Sequence, residues 1–187
     1  TKGCTKDKFS DWEGLQACQL EVEEGLKGLE QPIGWSIPLV KFGMFGRIDI
    51  IAWAKPIETP NANNGHMTLG IQCLDGVPSL KVNTYSKIFD EIKGRETLNE
   101  DGVKLAVNGG EIVDGTYRLE LNGDQNIRWI YAVLLENDAA KEFLIAGENG
   151  EKLDIQINVG NTFLGASYDL SELNKVNNFI GTACSWW

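Results

Sequence analysis

Histidine occurs once in this chain of 187 residues, at His66, and there is no G-x-S-x-G elbow. A hydroxyl or thiol nucleophile needs a neighbouring base and a group to orient that base, so the pattern offers no serine- or cysteine-hydrolase constellation. His66 follows Asn63-Asn64-Gly65 and reads as a solvent-facing residue at the end of a loop. P-loop and dinucleotide glycine signatures are missing. So is a D-x-[DN]-x-[DN]-G calcium loop, and Asn122-Gly123-Asp124-Gln125-Asn126 is a polar turn. No apolar run approaches the ~20 residues that span a bilayer, so the domain is not expected to be membrane-spanning. Positive charge is scarce: 17 Lys and Arg stand against 27 Asp and Glu, for a net charge of −10. Nonspecific attraction to nucleic acid is therefore excluded, and the acidity otherwise serves solubility.

What is present suits one domain, or one domain with a small appendage. Hydrophobic residues make up 42% and aromatics 9%, enough for a core. Ala- and Leu-rich blocks are few, Gly occurs 21 times, and short apolar alternations recur between Gly, Asn and Asp turns. That is the pattern of a mainly β protein. Residues 1–31 differ, with Phe9, Trp12, Leu15, Leu20, Val22, Leu26 and Leu29 at mixed spacings among charges. They read as a helical or irregular N-terminal lead. A short helix capped by Asp7 or Ser10 runs through Gln19, and a second, weak one covers Glu21–Glu30.

Residues 32–187 read as the β domain. Gly34–Leu39 is an edge strand, because Pro38 cannot donate to a ladder. Arg47–Ala54 is an apolar strand, and Gly43 with Gly46 marks a turn before it. Met67–Cys73 alternates with Met67, Leu69, Ile71 and Cys73 on one face, and Asp75-Gly76 turns the chain into Ser79–Tyr85. Residues 87–101 are charged and ambiguous. Lys104–Val107, Glu111–Val113, Thr116–Leu121 (with Tyr117, Leu119 and Leu121 inward) and Ile127–Val133 follow as strands. Asp138 caps a helix over Ala139–Ala146 that Gly147 ends. Leu153–Val159 and Asn161–Tyr168 form an antiparallel pair, and Ser171 opens a last helix through Phe179. About ten strands and two short helices specify an antiparallel β-sandwich or a partly closed barrel.

Carboxylates are too numerous for any pair to signal a glycosidase. Glu21, Glu23 and Glu24 read as a solvated face rather than a metal site. Asp49, inside an apolar strand, alternates outward on a one-sided sheet or pairs with Arg47 or Arg128. Six tryptophans, Trp12, Trp35, Trp53, Trp129, Trp186 and Trp187, divide between core and surface, with at least three expected to be buried. The adjacent Trp186 and Trp187 are the best candidate contact surface, with Trp129 as a further binding candidate. No cofactor is implied.

The four cysteines, Cys4, Cys18, Cys73 and Cys184, form no close pair and so lack zinc-site spacing. An even count suggests two disulfides and an oxidising compartment, with buried free thiols as the alternative. Four cysteines permit three pairings. Thr1 is preceded by no signal peptide, so export would require a leader already removed.

The series of landmarks resembles the TagO/VasI-type proteins associated with bacterial type VI secretion. It runs from the Cys-bracketed lead to Trp35-Ser36-Ile37, then Leu69-Gly70-Ile71-Gln72-Cys73 and Thr116-Tyr117-Arg118-Leu119. Arg128-Trp129, Phe143-Leu144, Ala166–Leu173 and Cys184-Ser185-Trp186 complete it. The resemblance implies pairing of Cys4 with Cys18 and of Cys73 with Cys184, the second pinning the C-terminal helix to the sheet. It also implies an exported, periplasmic or secreted accessory protein, not an enzyme, that binds another protein or a cell-envelope component. Gly165-Ala166-Ser167-Tyr168 faintly resembles the S-G-x-x-Y loop of periplasmic lysozyme inhibitors. The alternative expectation is a carbohydrate-binding module, for which the six tryptophans would supply a stacking platform, or an inhibitor of an envelope-degrading enzyme.

Overall fold

The computed structural model describes residues 4, 10–42, 47–60, 65–74, 76–86, 97–98, 103–110, 112–114, 117–121, 129–159 and 162–184. In chain order the elements are α1 (Trp12–Lys27), β1 (Trp35–Ser36), β2 (Leu39–Phe42), β3 (Arg47–Ala54), β4 (Gly65–Leu74) and β5 (Val77–Ser86). There follow β6 (Thr97–Leu98), β7 (Val103–Val107), β8 (Ile112–Asp114), β9 (Tyr117–Leu121), β10 (Trp129–Glu136) and α2 (Asn137–Ala146). A 3-10 turn (Gly147–Asn149), β11 (Lys152–Val159), β12 (Thr162–Asp169) and α3 (Leu173–Cys184) complete the series.

The strands form two antiparallel sheets. The larger runs β1-β3-β4-β5-β10-β9-β6 with β2 also paired to β3, and the smaller runs β12-β11-β7-β8. Alternation along each strand sends one set of side chains inward. Ile50, Ala52 and Ala54 of β3, Met67, Leu69, Ile71 and Cys73 of β4, and Leu80 and Val82 of β5 are all buried. Val103 and Leu105 of β7, Leu153, Ile155 and Ile157 of β11, and Leu164, Ala166 and Tyr168 of β12 join them in one cluster. Three elements pack on the larger sheet: β12 lies against β4, α3 against β3, β4 and β5, and α2 against β5 and β10. The fold is a β-sandwich with helices over part of one face, and it is not a closed barrel.

Leu74 pairs with Val77 in the β4–β5 hairpin, and Gly76 adopts the positive φ of 76° that a tight two-residue turn requires. The edge strand expected over Gly34–Leu39 breaks at Ile37-Pro38 into β1 and β2, both beside β3. The expected turn at Gly43 and Gly46 lies outside the described residues. So do the side chains of Tyr117, Leu119 and Leu121, whose backbone forms β9 as expected.

Three helical expectations need correction. The lead forms one continuous helix, α1, instead of two short ones, and Asp11 caps it. Helix α2 begins at Asn137 with Glu136 as its N-cap, leaving Asp138 in the first turn. Helix α3 continues past Phe179 to Cys184, because Ile180, Ala183 and Cys184 prolong its buried stripe. Cys73 and Cys184 are disulfide-bonded with their Cα atoms 5.7 Å apart, so the last turn of α3 is tied to β4.

Candidate docking surface

Helix α1 carries exposed apolar side chains in a rigidly held setting. Asp11 is extended, and its carboxylate accepts the Gly14 N–H at 2.6 Å, satisfying one of the donors that a helix start leaves open. Glu13 in the first turn and Lys27 in the last complement the helix dipole. Leu15 and Leu26 are buried, and Val22 and Leu29 pack against the core. These residues form the inward stripe, and α1 rests on α3 and β3. Trp12, Gln16 and Leu20, at i, i+4 and i+8, run along a flank that turns away from that stripe, with Leu20 farthest from it. Trp12 is 43% exposed and Leu20 60%, among the exposed carboxylates Asp11, Glu13, Glu21 and Glu24.

The helix is tied at mid-length to the lead and, beyond its C-terminus, to α3. Cys18, inside α1, is bonded to Cys4. Beyond its C-terminus, Lys175 Nζ lies 2.7 Å from Glu30 Oε1 and 2.8 Å from Glu172 Oε2. Glu172 Oε2 also accepts the Ile33 N–H at 3.2 Å. The Lys175 hydrogen bond, followed by the Ile33 amide, holds the Glu172 carboxyl below its usual range, and Glu172 and Glu30 raise Lys175. Lys175 and Glu172 stand at the N-terminal end of α3, whose far end is tied to β4. The orientation of α1 is thereby referred to the sheet.

The other candidates distribute as follows. Trp186 and Trp187 lie outside the described residues. Trp129 opens β10 opposite Tyr85, and its side chain is likewise outside them. Trp35 and Trp53 are half-buried, so none of the three described tryptophan side chains is fully buried. His66 is exposed at the start of β4. Lys27 takes Glu24 at 2.8 Å and Glu23 at 3.8 Å, which makes the Glu21–Glu24 run an ion-paired helix face. The hydrogen bond to Glu24 raises the Lys27 pKa.

Asp49 is a correction. It has the outward parity of β3 yet is 0% exposed, so this end of the outer face is covered rather than open to solvent. The Gly165–Tyr168 string lies in β12 with all four residues buried, which rules out an insertion loop of the inhibitor kind.

A group that no sequence pattern indicated unites Glu58, Lys152, Asp154 and Ser167. Ser167 Oγ donates to Asp154 Oδ1, and Lys152 Nζ lies 3.0 Å from Glu58 and 3.5 Å from Asp154. The hydrogen bond that Lys152 donates to Glu58 raises the Lys152 pKa, so Lys152 is held as a cation and is unsuited to act as a base toward Ser167. Backbone bonds from Ile57 N to Ser167 O (2.8 Å) and from Ser167 N to Glu58 O (2.9 Å) make this a tie between the 55–60 segment and the edge of β12. Glu58 is 94 positions from Lys152 and Ser167 is 13 from Asp154, so no local signal could have joined them.

Among the described residues, no three His, Cys, Asp or Glu side chains are grouped to hold a metal ion. No helix among them is long and apolar enough to cross a membrane. No protein-family model, curated protein or solved structure matches this chain.

Proposed function

We propose that this chain is a non-enzymatic binding protein of an oxidising, extracytoplasmic compartment, and that α1 is its docking face for another protein. The observation that carries the reading is the exposed Trp12–Leu20 stripe between carboxylates, on a helix disulfide-bonded to the lead at mid-length and ion-paired to α3 beyond its C-terminus. Exposed aromatic and aliphatic anchors are what protein interfaces desolvate, and a prefastened helix loses little conformational entropy on binding. The acidic surround selects a partner surface bearing Lys or Arg, through attraction that accelerates encounter and weakens with salt. Two disulfides support the compartment. The resemblance to the type VI accessory proteins supports a periplasmic or secreted setting and another protein of the cell envelope as the partner.

The test is cross-linking and pull-down from envelope extracts, comparing the native chain with Leu20→Lys and with Glu13→Lys/Glu21→Lys. Each variant is expected to weaken capture of the same partner by about tenfold, with capture of that partner also declining at high salt. A captured partner indifferent to both variants and to salt would remove α1 from the interface.

A further inference from the structure

We propose that the Cys4–Cys18 bond is a redox clip on the docking helix. A dithiol opens it while Cys73–Cys184 stays closed, and the first turns of α1 then lose the order that presents Trp12 and Leu20. The proposal rests on the reading of α1 as the docking face. The two bonds differ in setting. Cys73 and Cys184 are 1% and 8% exposed and belong to the core cluster, on β4 and α3. Cys4 and Cys18 are both half-buried. A thiolate must reach a sulfur to attack a disulfide, so access separates the reducible bond from the inert one.

Helix α1 is held unevenly along its length. A Cβ on Gly25 would touch Thr182 Cγ2 of α3 at 3.4 Å, and beyond the helix Glu30 and Ile33 are joined to Lys175 and Glu172. The C-terminal end of α1 and the chain after it therefore run antiparallel along α3. From Gly25 back to Trp12 the helix extends about 20 Å. Between Trp12 and Leu20 only Leu15 is buried, and it stands outside the cluster that takes Leu26. Gly14 lowers the helix propensity of that stretch, and so short a helix with little buried apolar surface is marginal in water. The Cys4–Cys18 bond, spanning 14 positions, restricts the other conformations open to it. Cys18 and Leu20, two residues apart, point to opposite sides of the helix, so the bond steadies the docking face without covering it.

Opening is a two-electron exchange. One thiolate of the dithiol attacks a sulfur of the bond, forming a mixed disulfide and expelling the other cysteine as a thiolate. The second thiolate then closes the dithiol's own disulfide and expels the remaining cysteine. Two electrons and two protons thereby pass from the dithiol to Cys4 and Cys18. A protein dithiol of the same compartment is the class of reductant required, and reoxidation restores the clip.

The experiment treats the intact, oxidised protein with dithiothreitol in the absence of denaturant. Free thiols are alkylated for peptide mass mapping, and amide hydrogen exchange is followed in parallel. Cys4 and Cys18 are expected to become alkylated at least about tenfold faster than Cys73 and Cys184. Exchange across residues 16–20 should quicken about tenfold or more, while that of α3 holds. Cys4→Ser/Cys18→Ser should show the same exchange without reductant. Equal opening of the two bonds, or undiminished protection of residues 16–20 in the reduced chain or the double variant, would overturn the proposal. Pull-down before and after reduction separates the clip from the docking reading, and reduction is expected to weaken capture about tenfold. Capture lost in Leu20→Lys, with exchange unchanged on reduction, would sink the clip alone. Quickened exchange with capture intact, both on reduction and in Leu20→Lys, would sink the docking reading and the regulation with it.

Discussion

Replacing Cys73 and Cys184 together by alanine is expected to remove about 5 kcal/mol of stability while leaving the folded arrangement in place. The bond joins residues 111 positions apart, and the chain-entropy relation for a loop of that length gives about 4.8 kcal/mol at 25 °C. The native contacts of α3 survive the substitution, because Leu173, Val176, Phe179 and Ile180 remain buried against the core. The effect therefore resides in the unfolded chain, which expands once released. In a domain of this size each kcal/mol moves the midpoint by about 2–4 °C, so thermal unfolding followed by circular dichroism should shift down by about 10–20 °C. Urea unfolding should show a steeper slope, since more surface is exposed on unfolding. A double serine variant should lose about 1–3 kcal/mol more, because positions 73 and 184 are only 1% and 8% exposed and a hydroxyl there needs a partner. A loss below about 1 kcal/mol in the alanine pair would refute the entropic argument. Equal losses for serine and alanine would refute the burial of the bond.

Tyr168 is fully buried and its hydroxyl has no hydrogen-bond partner, so Tyr168→Phe should hold or raise stability by up to about 1 kcal/mol in urea unfolding. Burial raises the Tyr168 pKa above the ordinary value near 10. Stability is thus fully present below about pH 10 and falls as pH rises toward the raised native value, where the unfolded chain ionises first. The Phe variant should flatten that decline, and an unchanged slope would discount the tyrosine. Glu172 shows the opposite sign. Its depressed carboxyl favours the folded tie above the ordinary glutamate value near 4.3 and loses it as pH falls below, so protection of the Ile33 amide from hydrogen exchange should drop in acid. Protection unaltered from pH 7 to about 3 would mean that the Ile33–Glu172 bond does not hold the chain beyond α1.

Strand alternation was legible because it is local. Met67, Leu69, Ile71 and Cys73 share a face through backbone geometry alone, and the Leu153–Val159 pattern likewise places Leu153, Ile155 and Ile157 inside. Helix α1 was harder to read. Gly14 and Gly25 weaken its intrinsic propensity, yet the helix persists because Leu15 and Leu26 bury tertiary surface and Cys18 is bonded. At Gly25 the missing side chain also suits the packing, since a Cβ there would already touch Thr182 of α3 at 3.4 Å. Asp49 misled for a related reason. Parity assigns a side chain to a face, but whether that face meets water depends on what the rest of the chain lays over it.

The sequence by itself determined the mainly β character, the hairpin at Gly76, the inward residues of the regular strands and the absence of familiar catalytic motifs. Each is encoded within a few consecutive residues through propensity, period and turn chemistry. Only the tertiary structure decided that β5 neighbours β10 and that β7 neighbours β11. It also decided that Lys175 fastens the end of α1, and that Trp53 fills the space over Gly70. Those relations join positions from 17 (Trp53 and Gly70) to 145 (Glu30 and Lys175) residues apart. Their free energy comes from burial and register shared across the whole sandwich, a quantity that no short window of sequence carries.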